Sequence, residues 1–201
     1  MAAPVIRLVL PLLLLAACVP ATQQAAFGPG VADIAAQRMR FAAEAVCLNN
    51  PSRRGQVAAA RALAFPVREA DGEAVIFANP GTLTFVRIGP APTQGFTDGE
   101  GRRQFVGGEG CSVGSPAVDT ALANRLAGEI LAPRLVDGSD LLAVPLGAGR
   151  NADGGAGFFF RDLAVTLPLA RTVIADPATG RAAAFDHPVI LVVHGRAAPA
   201  S

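Results

Sequence analysis

Residues 74–88 read AVIFANPGTLTFVRI, and no other stretch of the chain is a clearer guide to its architecture. Residues 74–78 and 83–88 are rich in branched and aromatic side chains, which strands favour. Asn79, Pro80 and Gly81 between them have the composition of a turn. The stretch therefore predicts a β-hairpin, and with it an antiparallel sheet.

More strands are expected farther along the chain. Segments of similar composition follow the hairpin at residues 104–106, 141–146, 158–167, 171–175, 182–185 and 189–194. Residues 176–180, DPATG, predict a compact turn between two of these strands. Parallel pairing would need crossovers of about a dozen residues, and no helical pattern separates the later strands, so we expect antiparallel pairing.

Two segments ahead of the hairpin have the apolar spacing of helices. Residues 31–48 place Ile34, Phe41 and Leu48 among charged positions, which is typical of an amphipathic helix, and Asn49-Asn50-Pro51 ends it. A second helix is expected over residues 52–64, where Pro66 follows.

A third helix is predicted in the middle of the chain. Ser115 supplies a capping side chain and Pro116 suits the first helical position. Apolar residues at helical spacing follow, and we expect Pro133 to end the helix. The fold class predicted is α+β, with two N-terminal helices and one central helix packed on a mainly antiparallel β-sheet.

The first residues of the chain have the character of an export signal. After Arg7 the sequence LVLPLLLLAAC is an apolar run that ends in small residues. A membrane-spanning helix needs about 20 apolar residues, whereas Pro11 interrupts this run and Gln23 and Gln24 soon follow it. Export is therefore favoured over a transmembrane helix.

The end of this run, Leu15-Ala16-Ala17-Cys18, resembles the lipobox of bacterial lipoproteins. The resemblance covers only residues 1–18, and no family is recognised for the folded domain. It implies cleavage before Cys18, a diacylglycerol on its sulfur and a third acyl chain on its amine. Val19, where enteric inner-membrane lipoproteins carry aspartate, implies the outer membrane, facing the periplasm.

The leader also sets the expected domain boundaries. Residues 1–17 would be the signal peptide, 18–30 a lipid-anchored tether, 31–195 a single α+β domain and 196–201 a flexible tail. The full chain has seventeen basic and sixteen acidic side chains. Loss of Arg7 with the leader would leave sixteen of each. This neutral balance argues against nucleic acid as a partner.

The chain contains three cysteines. With Cys18 assigned to lipid, Cys47 and Cys111 are expected to form a disulfide in an oxidising envelope, and two separate buried thiols are the alternative. We expect no metal ion and no cofactor, because the sequence has no C-x-x-C pair and only His187 and His194 as histidines.

The one catalytic candidate is GCSVG, residues 110–114, which matches the G-x-S-x-G nucleophile motif through Ser112. Aspartates followed by His187 or His194 come later in the chain, in the order found in hydrolases. The alternative is a glycine turn that leads into the Ser115-capped helix. That hydrolase fold needs a parallel sheet, whereas the segment upstream of the motif predicts antiparallel hairpins.

Two further segments are candidate binding surfaces. Residues 147–157, GAGRNADGGAG, could bind an anion through backbone amides or a cation through Asp153, or simply connect two strands. Phe158, Phe159 and Phe160 put neighbouring aromatics on both faces of one strand, so at least one face must be covered by protein or by a partner.

These observations favour a non-enzymatic, lipid-anchored envelope protein that binds another envelope protein or assists assembly. The alternatives are a serine hydrolase using Ser112 with His187 or His194, and a small-ligand carrier that uses the sheet face and the glycine-rich loop. The membrane, through the lipid on Cys18, is the one partner that the sequence names.

Overall fold

The structure, a computed structural model, describes residues 27–144, 157–177 and 179–199. The predicted leader, the lipidation site Cys18, most of the predicted tether and the glycine-rich loop with Asp153 lie outside these residues.

The helices are α1 (Pro29–Ala42), continued by a π-helical turn (Ala43–Leu48), α2 (Arg53–Ala62) and α3 (Thr120–Asp137). The strands are β1 (Val67–Asp71), β2 (Ala74–Asn79), β3 (Thr84–Pro90), β4 (Gln94–Thr97), β5 (Arg103–Val106), β6 (Glu109–Gly114), β7 (Leu141–Ala143), β8 (Gly157–Phe160), β9 (Leu163–Thr166), β10 (Thr172–Ala175), β11 (Ala182–Phe185), β12 (Val189–His194) and β13 (Ala198–Pro199).

Eight of the strands form one sheet, in the order β1-β2-β3-β6-β12-β9-β8-β7. Every strand pair among the described residues is antiparallel. The predicted α+β class, with helices and a mainly antiparallel sheet, is confirmed. The hairpin expected from residues 74–88 forms as β2 and β3, in which Phe77 pairs with Val86.

The helices pack on one face of this sheet and form the main core. Ala32, Ala35 and Met39 of α1 are fully buried, and the small alanines let the helix backbone approach the strands closely. The sheet side of this core consists of Phe77, Val86, Ile88, Cys111, Val113, Phe160, Val165, Ile190 and Val192. We call this side of the sheet the helix face.

The opposite side, which we call the second face, is covered by two small β layers. The β10–β11 hairpin places Ile174 against Phe85 and Val189. A three-stranded sheet in the order β13-β5-β4 covers the neighbouring area, where Phe96 stacks on Phe159 with ring centroids 4.3 Å apart. The sequence predicted most of these strands but not that they form separate layers.

The ends of α2 agree with the prediction, and those of α3 differ from it. Ser52 caps α2 by accepting a hydrogen bond from the amide of Gly55. The prediction that Ser115 caps the third helix is wrong, because Asp119 caps α3 and accepts from Leu122 at 2.7 Å. Ser115 instead accepts from Ala117 at 3.1 Å within the turn that precedes the helix.

The prediction that Pro133 ends the third helix is also wrong, since it lies inside α3. Proline removes one helical hydrogen bond at a cost of about 3 kcal/mol, and tertiary packing of the helix offsets this. Leu126, Ile130 and Leu131 anchor α3 in the core ahead of it. The helix ends at Gly138, whose φ of 63° is the left-handed conformation that glycine adopts readily.

Several strands differ from the sequence-based prediction. Residues 158–167 form two strands rather than one, because the chain reverses after Phe160 and β8 pairs with β9. Strands β1, β4 and β6 were not predicted. Ala198 and Pro199, expected to belong to a flexible tail, pair with Phe105 and Gln104.

Candidate functional site

A disulfide joins the helix layer to the middle of the sheet. Cys47 lies in the π-helical turn after α1, and Cys111 lies on the helix face of β6, with a Cα–Cα distance of 5.3 Å. Both residues are fully buried. The predicted pairing is confirmed, and the alternative of two separate thiols is wrong.

His194 lies at the end of β12, beside this disulfide. Its Nε2 atom is 2.6 Å from the carbonyl oxygen of Cys47, to which it donates a hydrogen bond. In the pairing of β12 with β6, His194 lies opposite Glu109 and Val192 lies opposite Cys111. The histidine therefore has a structural partner on the helix face of the sheet.

His187 lies beside two stacked aromatic rings, in the turn between β11 and β12. The centroids of Phe85 and Phe185 are 5.2 and 5.8 Å from that of the imidazole, both in edge-to-face geometry. Burial lowers the pKa of His187, and the neighbouring Asp186 carboxylate opposes the shift. Its Nε2 atom is buried without a hydrogen-bond partner, so this ring favours the neutral form.

Ser112 lies on the second face of β6, a central strand of the large sheet. It pairs with Arg87 on β3 and with Leu191 on β12. The residue is 1% exposed, and its Oγ atom is buried without a hydrogen-bond partner. Neither His187 nor His194 is therefore within hydrogen-bond distance of Ser112, and the structure does not bring the three predicted catalytic residues together.

The alternative reading of residues 110–114 as a glycine turn is wrong, because all five positions belong to β6. The two glycines and the serine recur at every second position, so they share the second face. A Cβ on Gly110 would lie 2.4 Å from that of Ala91, and a Cβ on Gly114 would lie 2.6 Å from the Phe85 ring. Close packing against Ala91 and against Phe85 of the neighbouring strand β3 thus explains the glycines of the G-x-S-x-G pattern.

Arg87 is the most deeply buried charged side chain of the second face. Its Nε atom donates to Asp71 Oδ2 at 3.0 Å, and Nη1 donates to the carbonyl oxygen of Pro90 at 3.2 Å. A cavity of about 40 Å³ beside it is also lined by Asp176 and Arg181. Its signal in the sequence is a single arginine among the apolar residues Phe85, Val86 and Ile88 of β3.

A larger cleft opens on the same second face. It has a volume of about 210 Å³ and lies between β4, the segment that joins β9 to β10, and the sheet. Its lining is polar and apolar in similar measure, with Pro92, Thr93, Gln94, Thr166, Leu167, Leu169, Arg171, Val173 and Leu191 among its residues. No local sequence pattern marks this cleft, because its walls come from segments that are distant in the chain.

A row of paired residues connects the two cavities. Arg87, Ser112, Leu191 and Thr166 are neighbours on β3, β6, β12 and β9. Arg87 borders the small cavity, whereas Leu191 and Thr166 line the cleft. Ser112 lies between them, where its hydroxyl is covered. The arrangement can hold a ligand at the cleft but offers Ser112 no base.

The aromatic triplet is buried on both faces of β8. Phe160 is fully buried in the main core, and Phe158 packs against the same core on the helix face. Phe159 is 2% exposed and stacks on Phe96 of the covering layer. Protein therefore covers both sides of this strand, and the triplet is not an exposed surface.

Two classes of feature are not found in the part of the chain that the structure describes. Within residues 27–144, 157–177 and 179–199, no three histidine, cysteine or acidic side chains come close enough to hold a metal ion. No helix in those ranges has the length and hydropathy required to cross a membrane.

Comparison of the chain with protein-family models, with curated proteins and with solved structures gave no match.

Proposed function

We propose that the chain is an exported lipoprotein of the bacterial cell envelope, held in a membrane by lipid on Cys18, whose folded domain acts by binding. The observation that carries this proposal is the buried Cys47–Cys111 disulfide. Disulfides of this kind persist in oxidising compartments such as the periplasm. Because the chain has three cysteines, the bridge leaves Cys18, in the lipobox-like sequence, as the one available for acylation.

Binding is favoured over catalysis by the surroundings of Ser112. Its hydroxyl has no hydrogen-bond partner, His194 is bonded to Cys47, and His187 lies among phenylalanine rings. A serine nucleophile needs a base within hydrogen-bond reach. We therefore propose an envelope protein that binds another envelope component or assists its assembly, and we do not retain the serine hydrolase as a candidate.

A small-ligand carrier is the second candidate, and the 210 Å³ cleft favours it. Carriers typically enclose a ligand in about 300–1,000 Å³, so this cleft suits a small occupant. The cleft lies on the second face, and Thr93, Gln94 and Arg171 are among its lining residues, which suits a ligand that carries hydrogen-bonding groups.

The lipid anchor can be tested by expression of the full chain in an enteric Gram-negative host. We expect intact mass spectrometry to give a chain that begins at Cys18 and carries three acyl groups, and detergent-phase partitioning to place it with membrane proteins. The Cys18→Ser variant should carry no lipid, which the same mass measurement shows directly. Wild-type protein that carried no fatty acid, or retained its leader, would overturn the proposal.

The proposed outer-membrane location has its own matched control. Val19→Asp should leave acylation of Cys18 intact and retain the protein in the inner membrane, because aspartate at that position is the enteric retention signal. Density-gradient separation of the two membranes should place the wild type in the outer-membrane fraction and the variant in the inner one. The same location for both would contradict the assignment.

A further inference from the structure

Helix α1 carries apolar side chains that the fold leaves exposed. Val31, Ile34 and Phe41 are 37%, 53% and 50% exposed. Their spacing of three and seven residues puts them along one side of the helix. Phe27, which is 39% exposed, precedes the helix at the same end. We call these four side chains the apolar stripe.

The other sides of α1 are occupied. Ala35 and Met39 face the core and are fully buried. On a different side, Arg40 pairs with Glu44 at 3.2 Å and with Glu129 of α3 at 3.3 Å. The apolar stripe is therefore a third side, distinct from both the core side and the charged side.

We propose that the apolar stripe lies on the lipid bilayer to which Cys18 is attached. This inference rests on the proposed lipid anchor. Eight residues separate Cys18 from Phe27, and a chain of that length reaches at most about 30 Å when fully extended. The acyl chains thus hold the start of α1 close to the lipid headgroups, where an exposed apolar side chain gains by insertion.

A second copy of the chain fits the stripe less well than a bilayer does. The spacing is also that of a coiled-coil seam, but Arg38 takes one of the seam positions. The four side chains expose roughly 300 Å² together, given that a phenylalanine buries up to about 250 Å², whereas a stable dimer buries about 800 Å² per partner. A bilayer requires no complementary surface, and the Arg38 guanidinium can keep its 3.5 Å hydrogen bond to the carbonyl oxygen of Leu63 beside it.

The absence of tryptophan and tyrosine from the sequence makes a direct test possible, because a single introduced tryptophan is the sole such reporter. Ile34→Trp places it in the apolar stripe. Val173→Trp is the matched control, since Val173 is also 53% exposed but lies on β10, across the sheet from the helices. Both variants are prepared as acylated full-length protein in phosphatidylcholine–phosphatidylglycerol vesicles, with and without brominated acyl chains.

We expect the I34W emission to shift to shorter wavelength on reconstitution and to fall at least twofold with brominated lipid. The V173W emission should stay close to that in water and be insensitive to bromine. Phe41→Trp keeps an aromatic side chain and should behave like I34W. It replaces I34W in the experiment if I34W does not fold. If the emission of I34W and F41W matched that of V173W, the inference would be overturned. A shift to shorter wavelength without quenching by bromine would also overturn it, because contact with a second copy of the chain produces that result.

Mass spectrometry of the same samples separates this inference from the proposed function. If Cys18 carries acyl chains but the tryptophans in the apolar stripe stay in water, the anchor stands and the bilayer contact is wrong. If Cys18 carries no acyl chain, the proposed function is wrong and the bilayer contact with it.

Discussion

His194 donates a hydrogen bond across 2.6 Å to the carbonyl oxygen of Cys47, although the two residues lie 147 positions apart in the sequence. Cys47 is also bridged to Cys111, which pairs with Val192 on the same strand as His194. The turn that follows α1 is therefore tied to the adjacent strands β6 and β12, once covalently and once by a hydrogen bond.

Removal of the disulfide should destabilise the domain substantially. The bridge closes a sequence separation of 64 residues, for which the chain-entropy model gives about 4 kcal/mol. We expect the free energy of unfolding of the double variant Cys47→Ala/Cys111→Ala to be lower by that amount. The variant should therefore unfold at a lower urea concentration. His194→Gln is a milder companion and should cost about 1 kcal/mol through the hydrogen bond to Cys47.

Reduction provides the control for the disulfide prediction. Wild-type protein unfolded in reductant should show the same stability as the double alanine variant, and reductant should leave the variant unchanged. Because both sulfurs are buried, reduction should require unfolding. A loss below about 1 kcal/mol would contradict the prediction and would indicate a denatured state that already restrains the loop.

Substitutions in residues 110–114 distinguish a packed strand from a nucleophile motif. Ser112→Ala removes a buried hydroxyl that has no partner, so we expect stability to be unchanged or to rise by about 1 kcal/mol. Gly114→Ala would push a methyl group into the Phe85 ring and should cost about 1–3 kcal/mol. Thermal or urea unfolding measures both.

The control for the Ser112 prediction is chemical. Ser112 should resist fluorophosphonate labelling in the folded protein, because its hydroxyl is covered and has no base. Labelling that S112A abolished would contradict the structural role assigned to this residue. Gly110→Ala, which meets Ala91 instead of Phe85, should destabilise the domain as Gly114→Ala does.

Local patterns were sufficient for part of the fold. The hairpin of β2 and β3 follows from its own residues and its Asn79-Pro80-Gly81 turn, and the helix expected over residues 52–64 forms as α2. The disulfide needed only a count of cysteines and the expectation of an oxidising compartment. Each of these predictions depends on neighbouring residues or on composition, which a single sequence shows directly.

The arrangement of strands on the second face could not be predicted from the sequence, for a physical reason. Strand propensity indicates that β10 and β11 are extended, but not that they leave the large sheet and cover Phe85 and Val189. The role of Ser112 depends on Arg87 and Leu191, which flank it from distant parts of the chain. The cleft could not be predicted, because it exists only after these layers have packed.

Acidification should weaken the domain through His187. Burial lowers the pKa of this imidazole below its ordinary value of 6.5. The unfolded chain then binds a proton that the folded chain does not, so the free energy of unfolding falls as the pH drops through 6.5 toward the folded pKa. Stability is fully present above this window.

The His187 prediction is measured by urea unfolding at a series of pH values from about 5 to 8, the range over which an ordinary histidine titrates. His187→Gln cannot take up the proton, so the decline between neutral and mildly acidic pH should be smaller in the variant. The difference between the two profiles isolates His187, because the two proteins are otherwise identical. Identical pH profiles would show that His187 does not titrate differently on folding.

Asp98 organises the turn between β4 and β5. Its Oδ2 atom accepts from Gln104 Nε2 at 2.8 Å and from Arg102 Nε at 3.0 Å, and Oδ1 accepts from the amides of Arg102 and Glu100. The hydrogen bond from Gln104 contributes most to lowering the pKa of Asp98 from 3.8 to about 2, with further help from those of Arg102 and Glu100, and partial burial opposes the shift.

The lowered pKa of Asp98 makes this turn a source of stability that acid removes. Above pH 3.8 the charged carboxylate stabilises the folded state, and this contribution is lost as the pH falls toward about 2. Asp98→Asn keeps the shape of the side chain but replaces one acceptor oxygen with an NH₂ donor. The amide therefore cannot accept the hydrogen bonds of both Gln104 and Arg102. The variant should be less stable at neutral pH, and the difference should shrink between pH 3.8 and 2. Carboxyl NMR titration measures the pKa directly, and a value near 3.8 would contradict the prediction, because the hydrogen bonds would then not favour the charged form.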